Sequence, residues 1–307
     1  MPKLLILTQK TDEYESLIRA ENLPDLEILF IQDSKRAYEC DIVLGEPARI
    51  RKHLPTLKNL RWVQSIWAGI EPLLSPNLRR DYTLTNARGV FGELMSEYIF
   101  GYLLAHERRI FALRQAQNKK HWDGRNNGSL RGKTIGLLGV GSIGAEVAKT
   151  AKYFKMTVRG YTHSSESSPD VDVYFHDNLL EFVDGLDYLV NILPNTASTN
   201  KLLGAAVFEA LPAHALFINV GRGSAVDEKA LEEALVQEKI AGAILDVFSE
   251  EPLPKGHPFW TTPNLLMTFH TSAPSLPVNI ANLFIENYQR YLKGDELNYR
   301  VDFERGY

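Results

Sequence analysis

The chain reads as an α/β protein of two doubly wound parallel sheets, one following the other. Three observations carry this reading. Short apolar runs alternate with amphipathic stretches from end to end, the rhythm of β–α–β units. The length, 307 residues, is about twice the ~150-residue guide for one domain. A polar, Gly/Asn-rich stretch at residues 121–131 separates two such blocks, as a loop before a new domain does.

The elements follow in order. Residues 4–7 are a buried strand, 12–20 a helix with Asp12 near its start, and 26–31, 41–44 and 61–65 further strands. A long helical pattern then runs from Gly92 to near Asn118. The second block opens sharply at Lys133 with an apolar strand ending at Leu138. Strands near 157–161, 188–191, 215–219, 241–247 and 265–268 follow, with helices near 143–154, 203–211 and 227–237. Beyond a Pro-broken turn at 273–277, a last helix near 278–292 is expected to return to the first block. The expected domains are therefore 1–100 plus 275–307, and 101–274.

Composition narrows the function classes. With 44% hydrophobic and 23% charged residues the chain is neither collagenous, coiled-coil nor disordered. The single cysteine, Cys40, excludes an internal disulfide framework and a Cys-based zinc cluster. A net charge of −4 argues against whole-surface attraction to nucleic acid or anionic lipid. No apolar run is long enough for a membrane span, and the run at 4–7 is too short for a signal-peptide core. A cytoplasmic protein with no nucleic-acid or membrane partner is the expectation. His106-Glu107 lacks a second histidine one turn on, where Ile110 stands, so the helical zinc motif fails and no metal is expected. The phosphate loop of NTPases fails too, for want of a Gly-Lys-Ser/Thr ending.

The sharpest motif is Gly139-Val140-Gly141-Ser142-Ile143-Gly144, a G-x-G-x-x-G string between an apolar strand and an amphipathic helix. In that context it reads as a Rossmann dinucleotide loop. Gly139 makes the tight turn, Gly141 lets backbone approach a pyrophosphate, and Gly144 lets helix and strand pack closely. The pyrophosphate would rest on the unpaired amides and positive end of the helix. About 20 residues on, where a carboxylate reads the ribose of NAD, stands Thr162, followed by His163 and Ser164. A carboxylate there would repel a 2′-phosphate. Its absence favours NADP over NAD, although no arginine follows the strand to grip the phosphate.

Three further strand ends carry chemistry: Asn219-Val220-Gly221-Arg222-Gly223, Leu245-Asp246-Val247-Phe248-Ser249-Glu250-Glu251-Pro252, and Phe269-His270-Thr271-Ser272. Singly, Glu250 and Glu251 read equally as a solvated acidic turn and His270 as a core histidine, while a surface role for Arg222 is the lesser reading. Together, at the carboxyl ends of strands that follow a dinucleotide motif, they read as one site.

With these motifs the sequence resembles the D-isomer-specific 2-hydroxyacid dehydrogenases over nearly its whole length. Val226-Asp227-Glu228, Asn86-Ala87-Arg88-Gly89-Val90 and Glu97-Tyr98 add to the likeness, and the ending Val301–Tyr307 is similar to the glyoxylate/hydroxypyruvate reductase A branch. The resemblance implies a flavodoxin-like substrate-binding domain, an NAD(P)-binding Rossmann domain and a homodimer through the helix from Gly92. It implies that Arg222 binds the carboxylate and ketone oxygen of a small 2-keto acid, that His270 protonates the oxygen, and that Glu251 supports His270. It further implies cofactor contacts from Gly139, Gly141, Ser142, Ile143, Thr162, His163, Ser164, Leu193, Pro194, Val220, Asp246 and Ser272. Asp246 would hold the nicotinamide carboxamide. Trp67, Ala68 and Gly69 would form the substrate loop, with Trp67 and Tyr14 either aromatic walls or plain core. Two departures stand out: Asn195 in Leu193-Pro194-Asn195-Thr196 where leucine is common, and Phe269 where proline often precedes the histidine. The competing reading is a non-enzymatic, NAD(P)-sensing corepressor on the same fold.

Overall fold

The computed structural model describes residues 1–31, 36–163, 166 and 168–306. It separates into two compact units, Met1–Val90 with Ser275–Tyr307, and Phe91–Pro274.

In the first unit, β1 (Lys3–Leu7), α1 (Thr11–Ala20), β2 (Glu27–Leu29), β3 (Ile42–Gly45), α2 (Pro47–His53), β4 (Trp62–Ser65) and β5 (Thr83–Thr85) follow in chain order. All strand pairs are parallel, in the order β2-β1-β3-β4-β5. This is the flavodoxin-like arrangement. Leu4, Leu5, Val43 and Val63 are completely buried, as strands covered on both faces require. Both β5, three residues long, and α2, seven residues with Pro47 in its first turn, lie outside the sequence expectation. Neither is long enough to show a period.

The second unit holds α3 (Gly92–Glu107), α4 (Ile110–Asn118), β6 (Thr134–Leu138), α5 (Ser142–Tyr153), β7 (Thr157–Tyr161), β8 (Val173–Phe175), α6 (Leu179–Val183) and β9 (Tyr188–Asn191). After these come α7 (Ala205–Ala210), β10 (Leu216–Asn219), α8 (Glu228–Val236), β11 (Gly242–Leu245) and β12 (Leu265–Met267). Its strands, all parallel, run β12-β11-β10-β9-β6-β7-β8. The order reverses between β6 and β9, the switch point of a Rossmann sheet. The α/β class with two parallel sheets is confirmed.

Two features differ from expectation. The units divide at Val90 rather than at residue 100, because α3 packs on α5, with Ser96 Oγ and Thr150 Oγ1 at 2.7 Å. The long helix from Gly92 is two helices. Arg109 takes φ 54, and its guanidinium reaches Asp123 and the Arg125 carbonyl. No Gly or Pro marks this break, so tertiary ion pairing overrides local propensity.

Returning to the first unit, α9 (Pro277–Lys293) lies on its sheet. The Trp62 and Phe284 rings stack at 5.1 Å, and Asn287 Nδ2 donates to the buried Gln64 Oε1 at 3.1 Å. Gln64 Oε1 also accepts from Thr85 Oγ1 at 2.8 Å, so the buried Gln64, Thr85 and Asn287 side chains pair with one another. Among the described residues no helix is long and apolar enough to cross a membrane.

Candidate active site

The glycine loop forms a cradle at the switch point. Gly139 sits at φ 96, a left-handed conformation that glycine adopts without strain. A Cβ on Gly144 would fall 2.3 Å from the Gly139 carbonyl oxygen, so only glycine permits this approach of helix to loop. Gly141 is the N-cap of α5 and offers no side-chain cap, which leaves first-turn amides, including those of Ser142 and Ile143, open to an anion. The residues present therefore fit a dinucleotide pyrophosphate.

Beside the cradle, Thr162 closes β7: its amide donates to the Phe175 carbonyl at 3.0 Å, and its carbonyl lies 2.8 Å from His176 Nδ1. His163 is exposed, and Ser164 lies outside the described residues. His176 Nε2 is 2.7 Å from Glu166 Oε1, and that hydrogen bond raises the imidazole pKa.

The three chemical side chains leave neighbouring strands at one edge of this sheet. Register pairs Asn219 with Leu245 and Leu245 with Met267. Arg222 thus lies three residues beyond the edge on β10, and His270 three beyond it on β12. With strands about 4.8 Å apart, the two segments emerge roughly 10 Å from one another. Between them the β11 segment supplies Glu251. His270 Nδ1 and Glu251 Oε2 are 2.7 Å apart, while Glu251 Oε1 accepts from the Phe248 amide at 2.9 Å. Glu251, rather than Glu250, is the carboxylate that meets the imidazole. His270 sits at φ 56, a left-handed conformation uncommon for a residue with a Cβ.

Asp246 organises the histidine segment. Fully buried, it accepts on Oδ1 from Thr268 Oγ1 at 2.5 Å and the Thr271 amide at 2.9 Å, and on Oδ2 from the Ser272 amide at 3.0 Å. Its backbone carbonyl accepts from the His270 amide at 2.7 Å. Burial pushes its carboxyl pKa up, but hydrogen bonds from Ser272, Thr268 and the backbone outweigh burial and hold it below the usual aspartate range.

Arg222 is half-buried, and its Nη1 donates to the Gly221 carbonyl at 2.8 Å. The turn that carries it lies against the β11 segment: a Cβ on Gly223 would fall 1.9 Å from the Phe248 carbonyl carbon. A buried amide pair sets the turn's exit. Asn191 Nδ2 donates to Asn219 Oδ1 at 2.9 Å, and Asn219 Nδ2 donates to the Arg222 carbonyl at 3.2 Å. Asn191 Oδ1 accepts from the Leu193 amide at 3.2 Å, and the buried Val220 donates its amide to the Asn191 carbonyl at 3.1 Å. The loop containing Leu193 and Pro194 is tied to the arginine turn by Ser224 Oγ donating to Asn195 Oδ1 at 3.0 Å. The departure at Asn195 thus has a structural use. The family-like Val226-Asp227-Glu228 string also has one. Asp227 caps α8 by accepting from the Ala230 amide at 3.3 Å, and Glu228 Oε1 accepts from the Ser249 amide at 2.9 Å.

In the first unit, Trp67, Ala68 and Gly69 follow β4. The loop is anchored by Ser65 Oγ, which donates to the Trp67 carbonyl at 2.8 Å, and by Asn86 Nδ2, which donates to the Ala68 carbonyl at 2.9 Å. These bonds use carbonyls and leave the amides of Ala68 and Gly69 as donors suited to a carboxylate. Trp67 is 41% exposed, whereas Tyr14 is 1% exposed and belongs to the core rather than to an aromatic wall.

Sequence reasoning missed Asn191, Thr268 and Tyr98 as members of the constellation. Tyr98 on α3 lies 2.7 Å from Thr268 Oγ1. For Asn191 a signal existed: a polar residue ending an otherwise apolar strand, opposite Asn219. For Tyr98 the family-like Glu97-Tyr98 pair was a signal, but it pointed to no partner, since Thr268 is 170 residues away.

Residues 100–272 match the family model of the D-isomer specific 2-hydroxyacid dehydrogenase NAD binding domain. Glyoxylate/hydroxypyruvate reductase A of Yersinia enterocolitica is 32% identical over 256 residues, 81% of this chain and 82% of that protein. A D-isomer specific 2-hydroxyacid dehydrogenase family protein of Aeromonas salmonicida superposes with TM-score 0.92 at 40% identity, over 98% of this chain and 99% of that one. The NADPH-dependent glyoxylate/hydroxypyruvate reductase of Sinorhizobium meliloti, solved with NADP and sulfate, superposes with TM-score 0.89 at 25% identity over all of both chains. The fold, the cradle and these likenesses agree: the chain belongs to the D-isomer specific 2-hydroxyacid dehydrogenases, NAD(P)-dependent oxidoreductases acting on CH–OH groups.

Proposed function

We propose that the protein reduces a small 2-keto acid, glyoxylate or hydroxypyruvate, to the corresponding 2-hydroxy acid, with NADPH favoured over NADH. The observation that carries the chemistry is the 2.7 Å contact between His270 Nδ1 and Glu251 Oε2 at the edge of a dinucleotide-binding sheet. Bound NAD(P)H supplies the hydride. Arg222 holds the substrate carboxylate and ketone oxygen; its planar guanidinium suits a two-point grip that lysine does not offer. His270 gives a proton from Nε2 to the ketone oxygen as charge develops there. Glu251 keeps the proton on Nδ1, which fixes the tautomer and the orientation of the ring. Afterwards the neutral ring is re-protonated from solvent.

The NADPH preference rests on the absence of a carboxylate at Thr162. The relatives' names support the substrate: glyoxylate/hydroxypyruvate reductases at 32% and 25% identity. We also read α4, whose Ile110 and Phe111 are each 52% exposed, as part of a homodimer face; sedimentation at micromolar concentration tests this.

The deciding assay follows NADPH and NADH oxidation with glyoxylate, hydroxypyruvate, pyruvate and phosphohydroxypyruvate. Turnover is expected with the first two, with higher kcat/KM for NADPH. Tight NADPH binding without turnover on any 2-keto acid would instead favour a cofactor sensor.

A further inference from the structure

We propose that Tyr98 is a positioning residue for the acid–base histidine, acting through Thr268 and the buried Asp246. The proposal rests on the reading of His270 as proton donor and deepens it. Asp246 gathers the anchors of residues 268–272: the Thr268 hydroxyl, the Thr271 and Ser272 amides on its carboxylate, and the His270 amide on its carbonyl. One further tie reaches this cluster from another element. Tyr98, on α3, places its hydroxyl 2.7 Å from Thr268 Oγ1.

The proton order along this chain follows from its end. Thr268 has one hydroxyl hydrogen, and at 2.5 Å it is committed to the Asp246 carboxylate. The Tyr98 phenol is therefore the donor to Thr268. Burial raises the phenol pKa, so it stays protonated over the working range. A carboxylate at one end and a phenol at the other orient both hydroxyls, and each bond polarises the next. The Tyr98 ring is itself braced edge-to-face by Tyr102 at 4.8 Å.

The segment needs such bracing. His270 holds a left-handed φ of 56, which persists only where the surroundings over-determine it. Its imidazole must also meet a carboxylate from a different segment at 2.7 Å. Removing the Tyr98 donor loosens Thr268, then the backbone at 270, and so lengthens the His270–Glu251 contact. The ionisable groups around this segment are Glu251 on the imidazole, Asp246 beneath it, the phenols of Tyr98 and Tyr102 from α3, and the Glu228–His257 pair that braces residues 249–257. Of these, Glu251 alone contacts His270 directly by side chain, so this contact is the one that a loosened segment would lengthen.

The test is the NMR signal of the His270 Nδ1 proton, held downfield by its hydrogen bond to Glu251, in the wild-type protein and in Tyr98→Phe, Thr268→Val, Thr268→Ser and Tyr102→Phe, with kinetics in parallel. The signal is expected to move upfield in Tyr98→Phe and Thr268→Val, to return in Thr268→Ser, and to stay put in Tyr102→Phe, which keeps the ring contact. In Tyr98→Phe and Thr268→Val kcat should drop by about tenfold, a single hydrogen bond's contribution, with KM for NADPH little changed. An unmoved signal in Tyr98→Phe overturns the proposal. The underlying reading fails separately, if His270→Ala keeps near-wild-type turnover, and the proton signal reports on Tyr98 in either case.

Discussion

At the scale of single residues, the proposed chemistry divides its labour among Arg222, His270 and Glu251. Glu251 receives the Phe248 amide on one oxygen and the imidazole on the other, so its orientation is set before substrate arrives. Replacing it with glutamine keeps a hydrogen-bonding partner and removes the charge. Glu251→Gln should therefore lower kcat, while NADPH affinity measured by fluorescence holds. Arg222→Lys keeps the charge and loses the fork. It should raise KM for the keto acid and lower kcat/KM by about 10²-fold, the cost of breaking a desolvated charge pair. These three residues were legible in the sequence because each is a chemically distinctive side chain just past an apolar strand. The role of Tyr98 was not, because it exists only through a partner brought close by folding, and Asn191 showed only as a polar end to an apolar strand.

At the scale of elements, the strand ends act as fixed mounts and the loops are tied to them by buried polar groups. Asp246 is the clearest example. Its folded-state carboxyl lies below the usual range, so it contributes stability above its unfolded-state pKa and loses it as pH falls through the folded value. Asp246→Asn should thus cost about 1–3 kcal/mol of stability at neutral pH, read as a lower melting temperature. The gap to wild type should close in acid; a gap constant with pH would refute the assignment. At the cradle, Gly144→Ala drives a Cβ into the Gly139 carbonyl. It should destabilise the protein by about 1–3 kcal/mol and weaken NADPH binding in a fluorescence titration. The longer elements were readable from apolar periodicity. The three-residue strands β5 and β8 were not, and the break between α3 and α4 is written in an ion pair rather than in a Gly or Pro.

At the scale of the whole molecule, two parallel sheets of different strand order share one chain, and among the described residues only the second carries a glycine cradle at its switch point. The apolar–amphipathic alternation made that architecture readable from sequence. The division at Val90 was less so, since it depends on α3 choosing α5 as its partner. The central claim is that the second unit reduces a keto acid with hydride from the bound cofactor and a proton from His270. The most direct measurement is kcat/KM for hydroxypyruvate reduction by His270→Ala beside its NADPH dissociation constant. The account predicts a loss of about 10²–10⁴-fold in kcat/KM, as removal of a general acid produces, with NADPH binding intact. Turnover close to wild type in that variant would contradict it.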